Sequence, residues 1–394
     1  MPVGDVMILS AVRTPIGRFL GGLSSIPAPR LGAVAIRSAL AQAQVSPDQV
    51  DEVIMGNVLS AGLGQAPARQ AALAAGIPET VPATTINKMC GSSLKAVMLA
   101  AQAVQSGDAE VVVAGGMESM SLAPYLLDRA RTGYRIGDGA IVDSILRDGL
   151  VDAYKRIHMG SCCELLNREY RFTREEQDAY AVQSYRRALD AMTSGRFTAE
   201  VVPVEVAQPR NGASTVSADE EPRRVNFEKI PTLPAVFERD GTVTAANSSS
   251  ISDGAAAVVV AGADAARRLG ARPLARIVGQ AGAAGAPEWF TVQPSAAIRR
   301  LLNKVGWSLA DVDLIEINEA FASVVLAATR DLGIDTKKVN IHGGAVALGH
   351  PIGASGARIL ATLLHALPEV NGRRGIAAIC LGGGEAVSLA VERV

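Results

Sequence analysis

The chain has 394 residues, 48% apolar and 20% charged, with a formal net charge of -1. That composition excludes a disordered chain, gives no electrostatic reason for a nucleic-acid or membrane-surface partner, and allows two or three domain-sized units. Four cysteines, Cys90, Cys162, Cys163 and Cys380, and an opening that runs straight into Val6-Met7-Ile8-Leu9-Ser10 fit a reducing cytoplasm. The longest apolar runs, such as 255–263, are too short to cross a bilayer.

Apolar runs and helical spacing predict a strand at Val6 to Ser10, a helix at Leu31 to Gln44, a strand at Glu52 to Leu59 and a helix at about Ala66 to Ala75. A strand at Thr84 to Asn87 then meets Cys90, followed by a helix from Leu94 to Gln105 and a strand from Glu110 to Ala114 that ends in Gly115-Gly116-Met117-Glu118. Alternation of this kind predicts βαβ units around a largely parallel sheet. From about Ser121 to Ala246 the rhythm breaks, with helical stretches near Asp152 to Tyr170 and Arg174 to Gly195. This reads as a large insertion laid over the sheet, a place where ligand contacts gather. The α/β pattern resumes with a strand at Ala255 to Val260.

The second half repeats the first. Ser308 to Ile315 echoes Ser46 to Val53, Ile376 to Glu385 echoes Val111 to Glu118, and Gly353-Ala354-Ser355 opens a helix as Gly91-Ser92-Ser93 does. Two similar halves about a pseudo-twofold axis would bring strand ends and loops of both to one central site.

Cys90 falls at a strand-to-helix corner, where free N–H groups and the helix dipole favour thiolate, the form that attacks carbonyl carbon. A small core cysteine is the alternative. His350, between Gly349 and Pro351, has the chemistry of a base for a thiol, or else of a backbone-bonded loop histidine. Cys380 ends a strand ahead of three glycines whose bare N–H groups can approach a ligand oxygen, or is strand-end packing. Asn318 could donate to an oxyanion or hold a water, and Phe321 could wall an acyl pocket; an N-cap and a core ring are the alternatives. His158-Met159-Gly160 suits a ligand arm. Cys162 and Cys163 are adjacent on a predicted helix, diverge, and read as packing residues. No metal-ligand spacing, phosphate loop or dinucleotide fingerprint occurs, so neither a metal nor a bound cofactor is expected.

Together these blocks resemble the thiolase family. Asn87 to Ala96 is similar to its nucleophile block, and Asn318 to Ala322, Gly343 to Gly356 and Cys380 to Gly384 are similar to its downstream blocks, in order along the chain. Gly115 to Ser121 and Asp253 to Ala256 agree as well. The resemblance implies an α/β fold of two βαβαβαββ halves stacked as α/β/α/β/α, with an inserted loop domain. Its expected parts are 1–120 with 246–270, the loop domain 121–245, and 271–394.

It also implies an acyltransferase of lipid metabolism that joins two acetyl-CoA molecules into acetoacetyl-CoA through an acetyl-cysteine, or the reverse. Cys90 would be the nucleophile, His350 its base, Cys380 the second acid/base, and Asn318 the holder of a water at the enolate. Backbone N–H groups of Cys90 and Gly382 would stabilise the tetrahedral oxyanion. Ser249, Arg223, His158, Met159 and Leu150 would meet coenzyme A, which is a substrate and not a cofactor. A homodimer or homotetramer is implied. His158-Met159-Gly160 resembles the short-chain branch. A broad-range degradative enzyme of fatty acid metabolism and a non-catalytic acyl-CoA carrier are the competing readings, and a decarboxylating synthase would need a histidine where Cys380 stands.

Overall fold

The computed structural model describes residues 4–208 and 212–394. In the first half, strands β1 (Val6–Arg13), β2 (Glu52–Gly56), β3 (Ala83–Ile86), β4 (Val111–Ser119) and β5 (Ser252–Gly262) carry helices α1 (Ala28–Ala43), α2 (Pro67–Ala74) and α3 (Ser92–Ser106). Between β4 and β5 lies a long excursion with helices α4 (Met159–Tyr170) and α5 (Arg174–Thr193). The second half has strands β6 (Ala275–Ala284), β7 (Leu314–Ile317), β8 (Arg374–Leu381) and β9 (Glu385–Arg393), with helices α6 (Gln293–Val305), α7 (Ala322–Leu332) and α8 (Ser355–Glu369).

The strands hydrogen-bond in the order β7-β8-β9-β6-β1-β5-β4-β2-β3, with the two-residue strand Gly17–Arg18 attached to β5. Pairing is parallel only toward the two edges, β2 with β3 and β4, and β7 with β8. The centre is antiparallel, from β4·β5 through β1·β5 and β1·β6 to β6·β9 and β9·β8. This corrects the expectation of a largely parallel sheet. For the β8·β9 pair the reason is local: the strands are joined across Gly382-Gly383-Gly384, with Leu381 opposite Glu385, and so short a connection can only reverse the chain. Gly383 and Gly384 take φ of +91° and +80°, which only glycine adopts without strain.

The halves superimpose in their hydrogen bonds as well as their sequence. Asp51 accepts from the backbone N–H groups of Glu110 and Val111, and Asp313 accepts from those of Arg373 and Arg374 in the same way. In this symmetry β4 and β5 correspond to β8 and β9. The excursion of residues 120–251 therefore stands where the second half has its three-glycine turn, and it leaves the sheet at the same end as Cys380.

Apolar burial stacks the halves. One cluster joins α1 and α2 to the outer face of the first half, and another joins α6 and α7 to the outer face of the second. Between the two faces lies a third, built from Leu94, Val97, Ala101, Ile359, Leu360 and Leu363 on α3 and α8. The result is the five-layer α/β/α/β/α order. The middle helices approach closely because Gly356 has no side chain; a Cβ there would meet the Leu94 backbone nitrogen at 2.5 Å. Ser93 Oγ accepts from the Ala357 N–H at 2.9 Å and pins the two helix starts together.

Among the element boundaries that differ from expectation, two have clear local reasons. The strand begun at Glu52 stops at Gly56, because Asn57, Val58 and Leu59 turn their donors onto Glu118. The helix expected from Asp152 begins only at Met159, because the Asp152 carboxylate accepts from the Tyr154 and Lys155 N–H groups and folds that stretch into a turn. Cys162 and Cys163 are free and buried on α4, as packing residues should be. No helix among the described residues is long and apolar enough to cross a membrane.

A Cβ on Gly116 would lie 2.1 Å from the Gly353 carbonyl oxygen, with backbone on both sides of the contact. Gly116→Ala is expected to destabilise the protein by about 1–3 kcal/mol, seen as a lower urea midpoint at constant slope. A midpoint equal to the parent's would contradict this packing of the two halves.

Candidate active site

Cys90 sits on the corner between β3 and α3. Met89 takes a left-handed φ of 48°, and the turn is held by Ser92, whose hydroxyl accepts from the Lys88 N–H at 2.8 Å and donates to the Met89 carbonyl at 2.6 Å. No side chain caps the start of α3.

His350 lies in the loop before α8 and is 6% exposed. Its backbone N–H donates to the Ser250 carbonyl at 3.0 Å, and its Nδ1 lies 2.6 Å from Ser355 Oγ. The Ser355 hydroxyl donates to the Pro351 carbonyl, so its oxygen is left to accept a proton from Nδ1. With the hydroxyl turned to Pro351 in this way, Nδ1 carries the hydrogen and Nε2 a lone pair. Nε2 has no protein partner.

Both residues line one cavity of about 340 Å³, together with Leu150, His158, Met159, Ser249, Phe321 and Gly382. Its remaining walls include Met120, Phe237, Phe290 and Ile352. The lining is mostly apolar with a few directed polar groups, the usual character of a ligand site. His158 caps α4 by accepting from the Gly160 N–H at 2.9 Å on Nδ1, which leaves Nε2–H as a donor. Its ring stacks on Phe237 at 4.7 Å, and Phe237 in turn meets Phe321 edge-on at 6.1 Å. Ser249 Oγ donates to the Ala320 carbonyl at 3.0 Å and keeps its lone pairs free to accept.

Cys380 ends β8 and is fully buried, two residues before Gly382, and its charge state couples to that of Cys90. Asn318 is fully buried at the end of β7, with neither atom of its amide bonded to protein. Arg223 lies elsewhere. It lines a separate cleft with Met192, Phe197, Val201 and Asp219, so the structure does not bring it to the cavity that holds Cys90.

Electrostatics revises one expectation. Burial pushes the Cys90 thiol up to about 11, outweighing the backbone N–H groups of Gly382 and of Cys90 itself, which favour thiolate; the Glu118 carboxylate adds to the rise. The helix N-terminus expected to produce a resting thiolate does not prevail, because desolvation costs the charged form more than the exposed N–H groups return. Burial, helped by the Arg358 charge, pushes the His350 imidazole down to about 3. At neutral pH the pair is a neutral thiol beside a neutral imidazole. Cys380 is likewise raised, first by burial and then by the neighbouring Cys90 and Cys163.

The sequence reading missed two buried carboxylates that frame this site. Glu118 accepts from Asn57, Val58, Leu59 and Gly353, and Glu319 accepts from Tyr180, Ser184, Asn340 and Val346. The available signal was a carboxylate ending a buried strand or following one, with no basic residue nearby in sequence. No group of three or more metal-ligating side chains occurs among the described residues.

Residues 6–264 match the family model of the thiolase N-terminal domain and residues 271–393 that of the thiolase C-terminal domain. An acetyl-CoA acetyltransferase of Cupriavidus necator is 52% identical over 390 residues, covering 99% of each chain. The crystal structure of an acetyl-CoA acetyltransferase from Bacillus anthracis matches with a TM-score of 0.97 at 43% identity, covering 100% of this chain and 99% of the other. A thiolase of Ascaris suum, solved in complex with coenzyme A, matches with a TM-score of 0.94 at 45% identity, covering 99% and 100%.

The raised thiol predicts the behaviour of the resting protein toward alkylation. Iodoacetamide modification of Cys90, followed by peptide mass spectrometry, should accelerate about tenfold per pH unit between about pH 7 and pH 9. A rate already level at pH 7 would contradict the neutral pair.

Proposed function

The chain belongs to the thiolase family, and from that premise we propose that it is an acetyl-CoA acetyltransferase, an acyltransferase that converts two acetyl-CoA to acetoacetyl-CoA and coenzyme A reversibly. The observation that carries this reading is the meeting of a nucleophile thiol, an unpartnered imidazole nitrogen and converging backbone N–H groups in one largely apolar cavity.

In the cleavage direction, Cys90 Sγ attacks the 3-keto carbon of acetoacetyl-CoA while His350 Nε2 takes the thiol proton. The oxygen of the tetrahedral adduct accepts from the N–H groups of Cys90 and Gly382, the two that already favour negative charge on Sγ. The carbon–carbon bond then breaks, the acetyl group stays on Cys90, and the departing acetyl-CoA carbanion takes the proton of the Cys380 thiol. The enolate oxygen meets the His350 imidazolium and a water held by Asn318, whose free amide supports that role. An incoming coenzyme A thiol returns a proton to Cys380 and attacks the acetyl-cysteine, and His350 gives its proton to the Cys90 sulfur as it leaves. Condensation is the reverse of these steps. A buried Cys380 that stays protonated at neutral pH is suited to act as the acid here.

His158, Met159, Leu150, Ser249 and Phe321 hold the pantetheine arm and the acyl group. Arg223 is assigned the nucleotide end of coenzyme A on sequence grounds alone. The aromatic box of Phe237, Phe290 and Phe321 supports a short acyl group, so the broad-range degradative reading and a role in fatty acid breakdown are not favoured. A non-catalytic carrier is disfavoured by the complete set Cys90, Asn318, His350 and Cys380. No bound cofactor takes part in these steps. Low cysteine content supports a cytoplasmic setting. The half-buried edge strand β3 and the exposed apolar residues Leu73, Leu122, Tyr125 and Leu127 support assembly as a dimer or tetramer.

Thiolysis of acetoacetyl-CoA should be efficient and that of 3-ketodecanoyl-CoA poor, measured as coenzyme-A-dependent loss of 3-ketoacyl-CoA absorbance. Cys90→Ala should lower the rate by roughly three orders of magnitude or more. Equal rates on both substrates would move the protein to the degradative class. Absence of cleavage on either would leave the carrier reading.

A further inference from the structure

Glu118 is a first-half carboxylate that takes three partners from its own half and one from the second half. It ends β4, is fully buried, and points its two oxygens at four donors. Oε1 accepts from Asn57 Nδ2 at 2.8 Å and the Leu59 N–H at 3.1 Å. Oε2 accepts from the Val58 N–H at 3.0 Å and, across the pseudo-twofold interface, the Gly353 N–H at 2.9 Å. Gly353 closes the loop that begins with His350, and His350 and Ile352 both line the cavity beside Cys90. The approach is tight: a Cβ on Gly353 would meet Glu118 Oε2 at 2.6 Å and the Met117 carbonyl at 2.9 Å. The carboxylate thus clamps the base-bearing loop of one half to the β4 end of the half that carries the nucleophile.

Resting on the acyl-transfer reading of this site, we propose that Glu118 is a positioning residue that holds His350 at its working distance from Cys90, and that only the ionised carboxylate does so. All four partners are N–H groups and none can accept, so a proton on either oxygen faces a donor and displaces it. The partner that ties the two halves together is the single one from the opposite half, Gly353. Its release lets the His350 loop drift, and a misplacement of about 1 Å between reacting groups costs up to roughly a hundredfold in rate.

The titratable groups around Glu118 are few. Asp253 on β5 faces it from the neighbouring strand, held by the Ser121 N–H and hydroxyl; Cys90 faces it from the corner, and His350 lies on the loop it holds. The 57–59 segment contributes only an amide and backbone N–H groups. Burial is the largest influence and, with the Asp253 charge, pushes Glu118 up to about 7 against the pull of its backbone donors. Cys90 at about 11 and His350 at about 3 do not change charge near neutrality. The clamp therefore lets go as pH falls through about 7, and the acid limb of kcat belongs to Glu118.

The test is the pH profile of acetoacetyl-CoA thiolysis for the full-length parent, Glu118→Gln and Glu118→Asp, with melting curves for each. The parent should lose kcat as pH falls through about 7 at little change in KM. Glu118→Gln should show kcat roughly tenfold to a hundredfold lower, with no acid limb near 7. Glu118→Asp should recover part of the rate and keep an acid limb, which a merely structural role would not restore. A Gln variant with the parent's kcat, or one that keeps the acid limb, overturns the inference. If Glu118→Gln does not fold, an Asp variant without an acid limb overturns it equally. An inactive parent would instead overturn the acyl-transfer reading on which the inference stands.

Discussion

Desolvation of the Cys90–His350 pair is the constraint on which the other features of the site depend. A thiol at about 11 and an imidazole at about 3 carry no charge at rest, so a half-buried nucleophile and a buried base meet without forming an ion pair. Charge appears only when the proton moves, and the groups that meet it are already in place. Two backbone N–H groups face the Cys90 sulfur, and Ser355 holds the imidazole in the tautomer that presents Nε2. Such donors need no reorganisation as the adduct forms.

The pseudo-twofold architecture explains how these groups come together. The nucleophile stands before α3 and the base before α8, two helices that pack as neighbours in the middle layer. Cys380 and Gly382 come from the β8–β9 turn, and the excursion that covers the site emerges at the equivalent place between β4 and β5. One half of the molecule thus keeps a tight turn that delivers an acid and an N–H group, while the other expands the same connection into the walls of the cavity. Small residues are what allow the layers to close, as at Gly116 against Gly353 and Gly356 against Leu94.

Much of this was legible in the sequence where the cause is local. The corner at Cys90, the glycine turn after Cys380, the two halves, and the gathering of His158, Met159 and Phe321 at one cavity follow from short patterns that the structure reproduces in place. What was not legible depends on residues far apart in the chain. The antiparallel centre arises from β1 pairing with β5 and β6, separated from it by some two hundred residues or more. The charge state of Cys90 follows from burial, which outweighed the helix terminus that the sequence made visible. Glu118 reaches Gly353 across 235 positions, and the Arg223 cleft lies apart from the cavity that holds Cys90 although the family resemblance assigned Arg223 to coenzyme A.

The central claim is that Cys90 alone carries the acyl group while Cys380 handles the proton. Acid quenching of the protein after brief incubation with acetyl-CoA, followed by peptide mass spectrometry, tests it most directly. The account predicts an acetyl group on Cys90, none on Cys162, Cys163 or Cys380, and its loss when coenzyme A is added before the quench. Acetylation of Cys380, or none on Cys90 in protein that turns over acetoacetyl-CoA, would contradict it.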